Sequence, residues 1–186
     1  MNTANKITIL RIILIPVFML LLATNAVWGR VAALIVFIIA SVTDSIDGHI
    51  ARKYNQITNF GKFMDPLADK LLITSALVMF VEQGTVSAWV AVIIVARELA
   101  VTGFRMIAAS SGRVIAASIW GKAKTVTQII AVVAALVFTL DLSAFGLPDL
   151  MPVVTVLMWL AALITLVSGI DYIVKNRDVL KNNADK

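Results

Sequence analysis

Four of the chain's eleven acidic residues fall within one stretch of 26 residues: Asp44, Asp47, Asp65 and Asp69. Asp44 and Asp47 stand at i,i+3 and Asp65 and Asp69 at i,i+4, so on helices each pair shares one face. Carboxylates crowded in this way repel one another unless a cation neutralises them. Oxygen-only donors, in a chain without cysteine, suit hard divalent ions such as Mg²⁺ or Mn²⁺ rather than zinc. Such ions are the usual partners of phosphate and pyrophosphate, and two of them can clamp both the attacked and the leaving oxygens. The neighbouring residues fit that chemistry. Gly48, Ala51 and Gly61 lack bulk and let a flat or phosphorylated ligand approach the helix backbone. Arg52 adds a fixed fork of donors matched to phosphate oxygens. Pro66 removes one helical hydrogen bond beside Asp65 and is expected to bend the helix open. The plainer reading is that the acids only pair with Arg52, Lys53, Lys62 and Lys70 while the glycines pack helices; it does not require acids and glycines in so fixed an order.

The elements that carry these residues follow from composition. Of the 186 residues, 60% are hydrophobic and 15% charged, and mean hydropathy is +0.95. A soluble domain carries about 25% charge and about 45–50% apolar residues. This excludes a water-soluble globular domain and a disordered chain, and the absence of cysteine excludes a disulfide scaffold. Apolar runs extend over roughly 9–28, 31–53, 61–82, 87–109, 121–140 and 151–174. Each is close to the ~20 residues a helical span requires, and too long and continuous for the strands of a membrane barrel. The expected fold is therefore an all-α polytopic membrane protein of six transmembrane helices forming one domain over 1–186, with no room for a separate soluble domain.

The net charge of +5 and a pI near 9.8 read as basic loops beside anionic lipid rather than affinity for nucleic acid. Lys6 and Arg11, then Arg52, Lys53 and Lys62, then Arg113, Lys122 and Lys124, and finally Lys175, Arg177, Lys181 and Lys186 fall on one side. The other side has Arg30 as its single base, with Glu82, Asp141 and Asp149. This asymmetry places both termini in the cytoplasm and the aspartates at the cytoplasmic face of a multi-pass cell-membrane protein. The first run is expected to be a span preceded by a short interfacial lead-in over residues 1–8, not a cleaved leader, since cleavage would spoil the asymmetry. Two antiparallel helices joined by a short polar turn (Lys53 to Phe60) would bring the two aspartate pairs together. An ionised acid in a membrane helix costs about 3 kcal/mol or more, so such residues usually face a cavity and act there.

The segment DSIDGHIAR, eight further residues and GKFMDPLAD match D-x-x-D-G-x-x-A-R-x₈-G-x-x-x-D-x-x-x-D at every specified position. In this the chain resembles the CDP-alcohol phosphatidyltransferase family. The stretches NKITILRIILIP, ARELAVTGFR and GKAKTVTQ are similar to the bacterial branch of the family that makes phosphatidylglycerophosphate. The resemblance implies a six-span fold with a cytoplasm-facing cavity, in which a phosphatidyl group passes from CDP-diacylglycerol to an alcohol and CMP is released. It implies that Asp44, Asp47, Asp65 and Asp69 bind metal, a pair of Mg²⁺ or Mn²⁺ ions being the cofactor, and that Asp69 is also the general base. It further implies that Gly48, Ala51, Arg52 and Gly61 line the CDP-diacylglycerol site, and that the protein forms a homodimer.

The expected acceptor is glycerol 3-phosphate, which needs a cationic pocket on the same side. Arg105, about one turn inside its span, and Arg113 and Lys122 in the following loop are the candidates for its phosphate, with Lys124 nearby. Glu98, beside Arg97 and nearer mid-membrane, is expected to form a buried structural pair, with Lys70 as the candidate partner. Thr8 and Arg11 are weaker candidates for nucleotide or headgroup contact. Asp171 is expected to pair with Lys175, and His49 to take a polar surface role, because it points away from the aspartate faces. Trp28, Trp89, Trp120 and Trp159 fall mostly near span ends, where an interfacial belt needs no binding role. The motif reads only the CDP side, so phosphatidylglycerol (giving cardiolipin) and inositol phosphate stay open as acceptors, while the cations argue against serine. A divalent-metal carrier is the rival from another class; it would more naturally place its acids at the bilayer midplane on broken helices.

Overall fold

Long apolar runs with few breakers form helices because, away from water, only internal hydrogen bonding satisfies the backbone. In the computed structural model the described residues are 3–24, 26–53, 59–110, 118–140 and 149–178; the side chains of 3–6, 44–53, 59–63, 65, 66, 69 and 110 lie outside the description. These residues form six helices: α1 (Thr3–Ala23), α2 (Val27–Lys53), α3 (Asn59–Glu82), α4 (Ala88–Ser110), α5 (Ile119–Phe138) and α6 (Met151–Lys175). The architecture is all-α, as expected. Helices α5 and α6 are each long and apolar enough to cross a membrane, and apolar stretches of 7–23 and 27–43 are shorter.

Element boundaries depart from the apolar runs where capping chemistry takes over. The lead-in is not a separate element: the helical backbone is continuous from Thr3. Helix α1 ends at Ala23 rather than near residue 28, and Thr24 donates its hydroxyl to the Leu21 carbonyl at 2.7 Å. Helix α5 starts at Ile119, earlier than its apolar run, because Ser118 is its N-cap and accepts from the Gly121 N–H at 3.1 Å. Helix α3 begins at Asn59 and its backbone stays helical through Pro66. It closes in a Schellman turn: Gly84 (φ +69°) takes the left-handed conformation while Thr85 N–H bonds Phe80 O at 2.9 Å and Gly84 N–H bonds Val81 O at 3.1 Å.

The core is made of helical stripes. Ala33, Phe37 and Ala40 of α2 meet Ile15, Phe18 and Leu22 of α1, with Phe18 and Phe37 ring centroids 5.8 Å apart. Leu72, Ala76 and Phe80 of α3 and Val90 and Ile94 of α4 extend this core to Ala131 and Ala135 of α5 and Met158, Ala161 and Ala162 of α6. The alanine stripes on α5 and α6 let their backbones approach closely, as in membrane bundles. Helix α1 packs along both α2 and α3, and α6 along both α4 and α5. Helices α2 and α3 touch each other much less among the described residues. The expected hairpin is thus held largely through α1. Outward faces carry Leu20, Val92, Leu99, Leu163 and Ile170, all exposed, a surface that suits lipid rather than water. Trp28, Trp89 and Trp120 stand second in α2, α4 and α5 and are exposed, as a belt requires; Trp159 lies further inside α6.

Two polar ties sit at the end of the bundle away from the aspartate helices' junction. Arg30 donates from Nη1 to the Thr139 carbonyl at 2.6 Å, covering the C-terminus of α5, and Gln83 Nε2 donates to the Leu22 carbonyl at 3.2 Å. A base at a helix C-terminus also complements the helix dipole. Arg30 therefore ties α2 to the end of α5.

Candidate active site

The backbone carries Asp44 and Asp47 through the last three turns of α2, and Asp65 and Asp69 through the first three turns of α3. Both pairs lie on uninterrupted helix, so the i,i+3 and i,i+4 registers hold. Gly48, Ala51, Arg52 and Gly61 occupy the same two helix ends; the side chains at these motif positions and at His49 lie outside the described ones. Arg113 lies outside the described residues altogether.

Two cavities share Lys70 of α3 in their lining. The inner one, about 70 Å³, is lined by Arg11, Ser41, Lys70, Glu98, Lys124 and Gln128 among others. Ser41 is one turn before Asp44, and Lys70 follows Asp69 in sequence. The outer one, about 630 Å³, is lined by Lys70, Arg97, Glu98, Thr102, Arg105, Ser118, Lys122, Lys124 and Tyr172. Its described lining holds five bases (Lys70, Arg97, Arg105, Lys122 and Lys124) and one carboxylate, Glu98. The two cavities share Lys70, Glu98, Lys124 and Thr125. An excess of positive charge in a partly enclosed, low-dielectric space is an anion site.

Glu98 organises the wall between them. Lys124 donates to its Oε1, and Arg97 Nη1 reaches the same oxygen at 3.3 Å. Arg97 Nη2 donates to Ser168 Oγ at 2.7 Å. The three charged side chains are only 8% (Arg97), 14% (Glu98) and 12% (Lys124) exposed. The buried pairing expected for Glu98 is present, but its partners are Lys124 and Arg97, with Lys70 lining the same cavities. The expectation that Lys122 and Lys124 lie in a loop is corrected: both are in the first two turns of α5, because Ser118 caps that helix ahead of them. Lys122 is exposed at the outer cavity, whereas Lys124 turns into the bundle.

Arg105 lies at the outer cavity as expected, exposed there. Its Nε donates to Tyr172 Oη at 3.2 Å, and its guanidinium carbon sits 5.8 Å from the Tyr172 ring centroid. Thr8 and Arg11 are buried at 1% exposure, so contact with bulk headgroups is corrected to an interior position beside the inner cavity for Arg11. Asp171 pairs with Lys175 at 2.7 Å, as expected.

Sequence reasoning named Lys124 only as a loop cation near the acceptor and passed over Tyr172 as a site-facing residue. A signal for both exists. Lys124 and Gln128 stand i,i+4 on α5, and Thr165, Ser168 and Tyr172 stand i,i+3,i+7 on α6. A polar stripe on an apolar membrane helix faces the protein interior. The stripes do meet: Gln128 Nε2 donates to Thr165 Oγ1 at 2.9 Å. Gly169 on the same helix makes room for Arg97, since a Cβ there would come within 2.8 Å of Arg97 Cγ. Gly169→Val is therefore expected to displace Arg97 and cost about 1–3 kcal/mol, read as a lowered thermal unfolding midpoint in detergent. An unchanged midpoint would show that α6 can shift without loss.

Among the described side chains no three acids or histidines come together. The four aspartates remain the chain's hard-oxygen donor set, and that set fits a divalent cation and not a softer metal.

Comparison with known proteins identifies the family. The profile of CDP-alcohol phosphatidyltransferases matches residues 1–167. The CDP-diacylglycerol–glycerol-3-phosphate 3-phosphatidyltransferase of Bacillus subtilis (strain 168) is 45% identical over 196 aligned positions, covering 98% of each chain. The protein of the same name from Rickettsia typhi is 37% identical over 171 positions, covering 92% of this chain and 94% of its own. A probable phosphatidylglycerophosphate synthase of Mycobacterium tuberculosis (strain ATCC 25618 / H37Rv) is 41% identical over 177 positions, covering 94% of this chain and 81% of its own. With its signature on the ends of α2 and α3 and a profile match over most of its length, the chain belongs to the CDP-alcohol phosphatidyltransferase family.

Proposed function

We propose that the protein transfers the phosphatidyl group of CDP-diacylglycerol to sn-glycerol 3-phosphate, giving phosphatidylglycerophosphate and CMP. The observation that carries the choice of acceptor is the outer cavity, with five bases and one carboxylate among its described lining residues, one of the bases being Lys70, which follows Asp69 in α3. A phosphorylated alcohol suits that charge; an uncharged or zwitterionic one does not.

In this reading Asp44, Asp47, Asp65 and Asp69 hold two divalent ions. The charge withdrawal that makes CMP a better leaving group is what Mg²⁺ or Mn²⁺ supplies when bound. Gly48, Ala51 and Gly61 leave space for CDP-diacylglycerol against the helix backbones, and Arg52 adds donors to its phosphates. Arg105, Lys122 and Arg113 grip the acceptor phosphate. Asp69 takes the proton from the acceptor's 1-hydroxyl. The oxygen so freed bonds to the phosphorus that carries diacylglycerol, and the bond from that phosphorus to CMP breaks. No covalent enzyme intermediate is needed.

The same reading holds a single domain of six spans with both termini cytoplasmic, the site facing the cytoplasm of a multi-pass cell-membrane protein, and two copies forming a homodimer. The exposed apolar faces and the one-sided distribution of bases support the membrane placement.

The test is purified protein in detergent with CDP-diacylglycerol, Mg²⁺ or Mn²⁺, and one alcohol per reaction, following CMP release. CMP release with glycerol 3-phosphate and its loss on chelation are expected. Release with phosphatidylglycerol or inositol phosphate alone would replace the acceptor. A protein that binds divalent metal and releases no CMP with any alcohol would overturn the transferase reading in favour of a metal carrier.

A further inference from the structure

Tyr172 contacts Arg105 in two ways. Its hydroxyl accepts from Arg105 Nε at 3.2 Å, and its ring lies 5.8 Å from the guanidinium carbon. The residue is buried, in a small apolar cluster with Val101, Phe104 and Ala108 that is separate from the main core, and Phe104 meets its ring edge-to-face at 5.8 Å between centroids. A tyrosine so fixed has one degree of freedom left at its hydroxyl. Arg105, by contrast, is a long side chain exposed at the outer cavity, and left to itself it would lose rotamer entropy on gripping a ligand. Bonding through Nε leaves the Nη1 and Nη2 fork without a recorded hydrogen bond among the described residues. That fork is the part of arginine whose geometry matches a phosphate.

We propose that Tyr172 is a positioning residue: it holds Arg105 by Nε and by its ring so that the Nη fork is presented, already ordered, to the phosphate of the acceptor. The inference rests on the reading of the outer cavity as the acceptor site. Its consequence is that Tyr172 acts on acceptor affinity and not on the transfer step, since among the described residues its hydroxyl and ring contacts are with Arg105 and Phe104 of α4. Pre-ordering a binding group raises affinity by lowering the entropy cost of binding.

The experiment is steady-state CMP release by wild type, Tyr172→Phe, Tyr172→Leu, Arg105→Lys and the double variant Arg105→Lys/Tyr172→Phe, with acceptor and CDP-diacylglycerol varied separately. Tyr172→Phe keeps the ring and its contact with Phe104, and should raise the acceptor KM about five-fold, the weight of one lost hydrogen bond, at constant kcat and constant KM for CDP-diacylglycerol. Tyr172→Leu should raise it further. In the Arg105→Lys background, which has no Nε–H to donate to the ring hydroxyl, the Phe substitution should add nothing, as coupled residues require. An unchanged acceptor KM in Tyr172→Phe, a fall in kcat alone, or fully additive effects in the double variant would overturn the inference. A wild type that turns over a different phosphorylated alcohol would overturn the acceptor assignment instead, and the same KM comparison made with that alcohol would still decide the role of Tyr172.

Discussion

Asp69→Asn is expected to lower kcat for CMP release about 10²–10⁴-fold, the range set by removing a general base. Asparagine keeps the volume and hydrogen-bonding capacity of the side chain and removes its ability to take a proton at neutral pH. Binding of CDP-diacylglycerol should survive, because Arg52 and the small residues Gly48, Ala51 and Gly61 that receive it in the proposed site are untouched. Asp44→Asn and Asp47→Asn should differ, because they leave the proposed base Asp69 in place. Each removes a donor from the hard-oxygen set and should weaken divalent-ion binding along with turnover. The measurement is turnover against ion concentration: raising Mg²⁺ or Mn²⁺ should recover part of the activity of Asp44→Asn and little of that of Asp69→Asn. Full recovery of Asp69→Asn by added ion would assign this residue to metal binding alone.

Glu98→Ala should give the largest loss of stability. Its carboxylate is a counter-charge of both Arg97 and Lys124, and all three side chains are largely buried between α4, α5 and α6. Taking away one partner of a buried charge cluster costs about 3–5 kcal/mol, because the charges left behind stay out of water. Arg97 would keep its bond to Ser168 and lose its carboxylate. The variant should unfold at a markedly lower temperature in detergent than wild type, with Glu98→Gln intermediate, since the amide oxygen can still accept. A Glu98→Ala midpoint equal to that of wild type would show that water enters the wall between the two cavities and screens these charges.

The candidate site divides into a part that is local in sequence and a part that is not. The aspartate pairs, the small residues and Arg52 lie within one 26-residue stretch, and helical periodicity alone relates them. The long apolar runs likewise identify the helices, because a bilayer imposes their length and leaves the backbone no alternative. The outer cavity is different. Its wall is assembled from α3, α4, α5 and α6, and its key bonds join Arg97 to Ser168, Lys124 to Glu98 and Arg105 to Tyr172, across 71, 26 and 67 residues. No local period encodes which stripe meets which. Lys70 was the natural partner for Glu98 on charge and depth alone, and the packing of α5 against α6 instead brings Lys124 there. Helix ends depart from the apolar runs for a simpler reason: the side-chain cap at Ser118 starts α5 at Ile119, two residues ahead of its run, and leaves Lys122 and Lys124 on helix rather than in a loop.

The most direct test of the central claim follows the acceptor into the product. Purified protein is supplied with CDP-diacylglycerol, a divalent ion and glycerol 3-phosphate labelled in its glycerol carbons, and both CMP and lipid-extractable label are counted. Transfer to glycerol 3-phosphate predicts one label in the lipid phase for each CMP released, in a product bearing both phosphates. CMP released with the label left in the aqueous phase would mean that water, not the alcohol, is attacked, and would contradict the account.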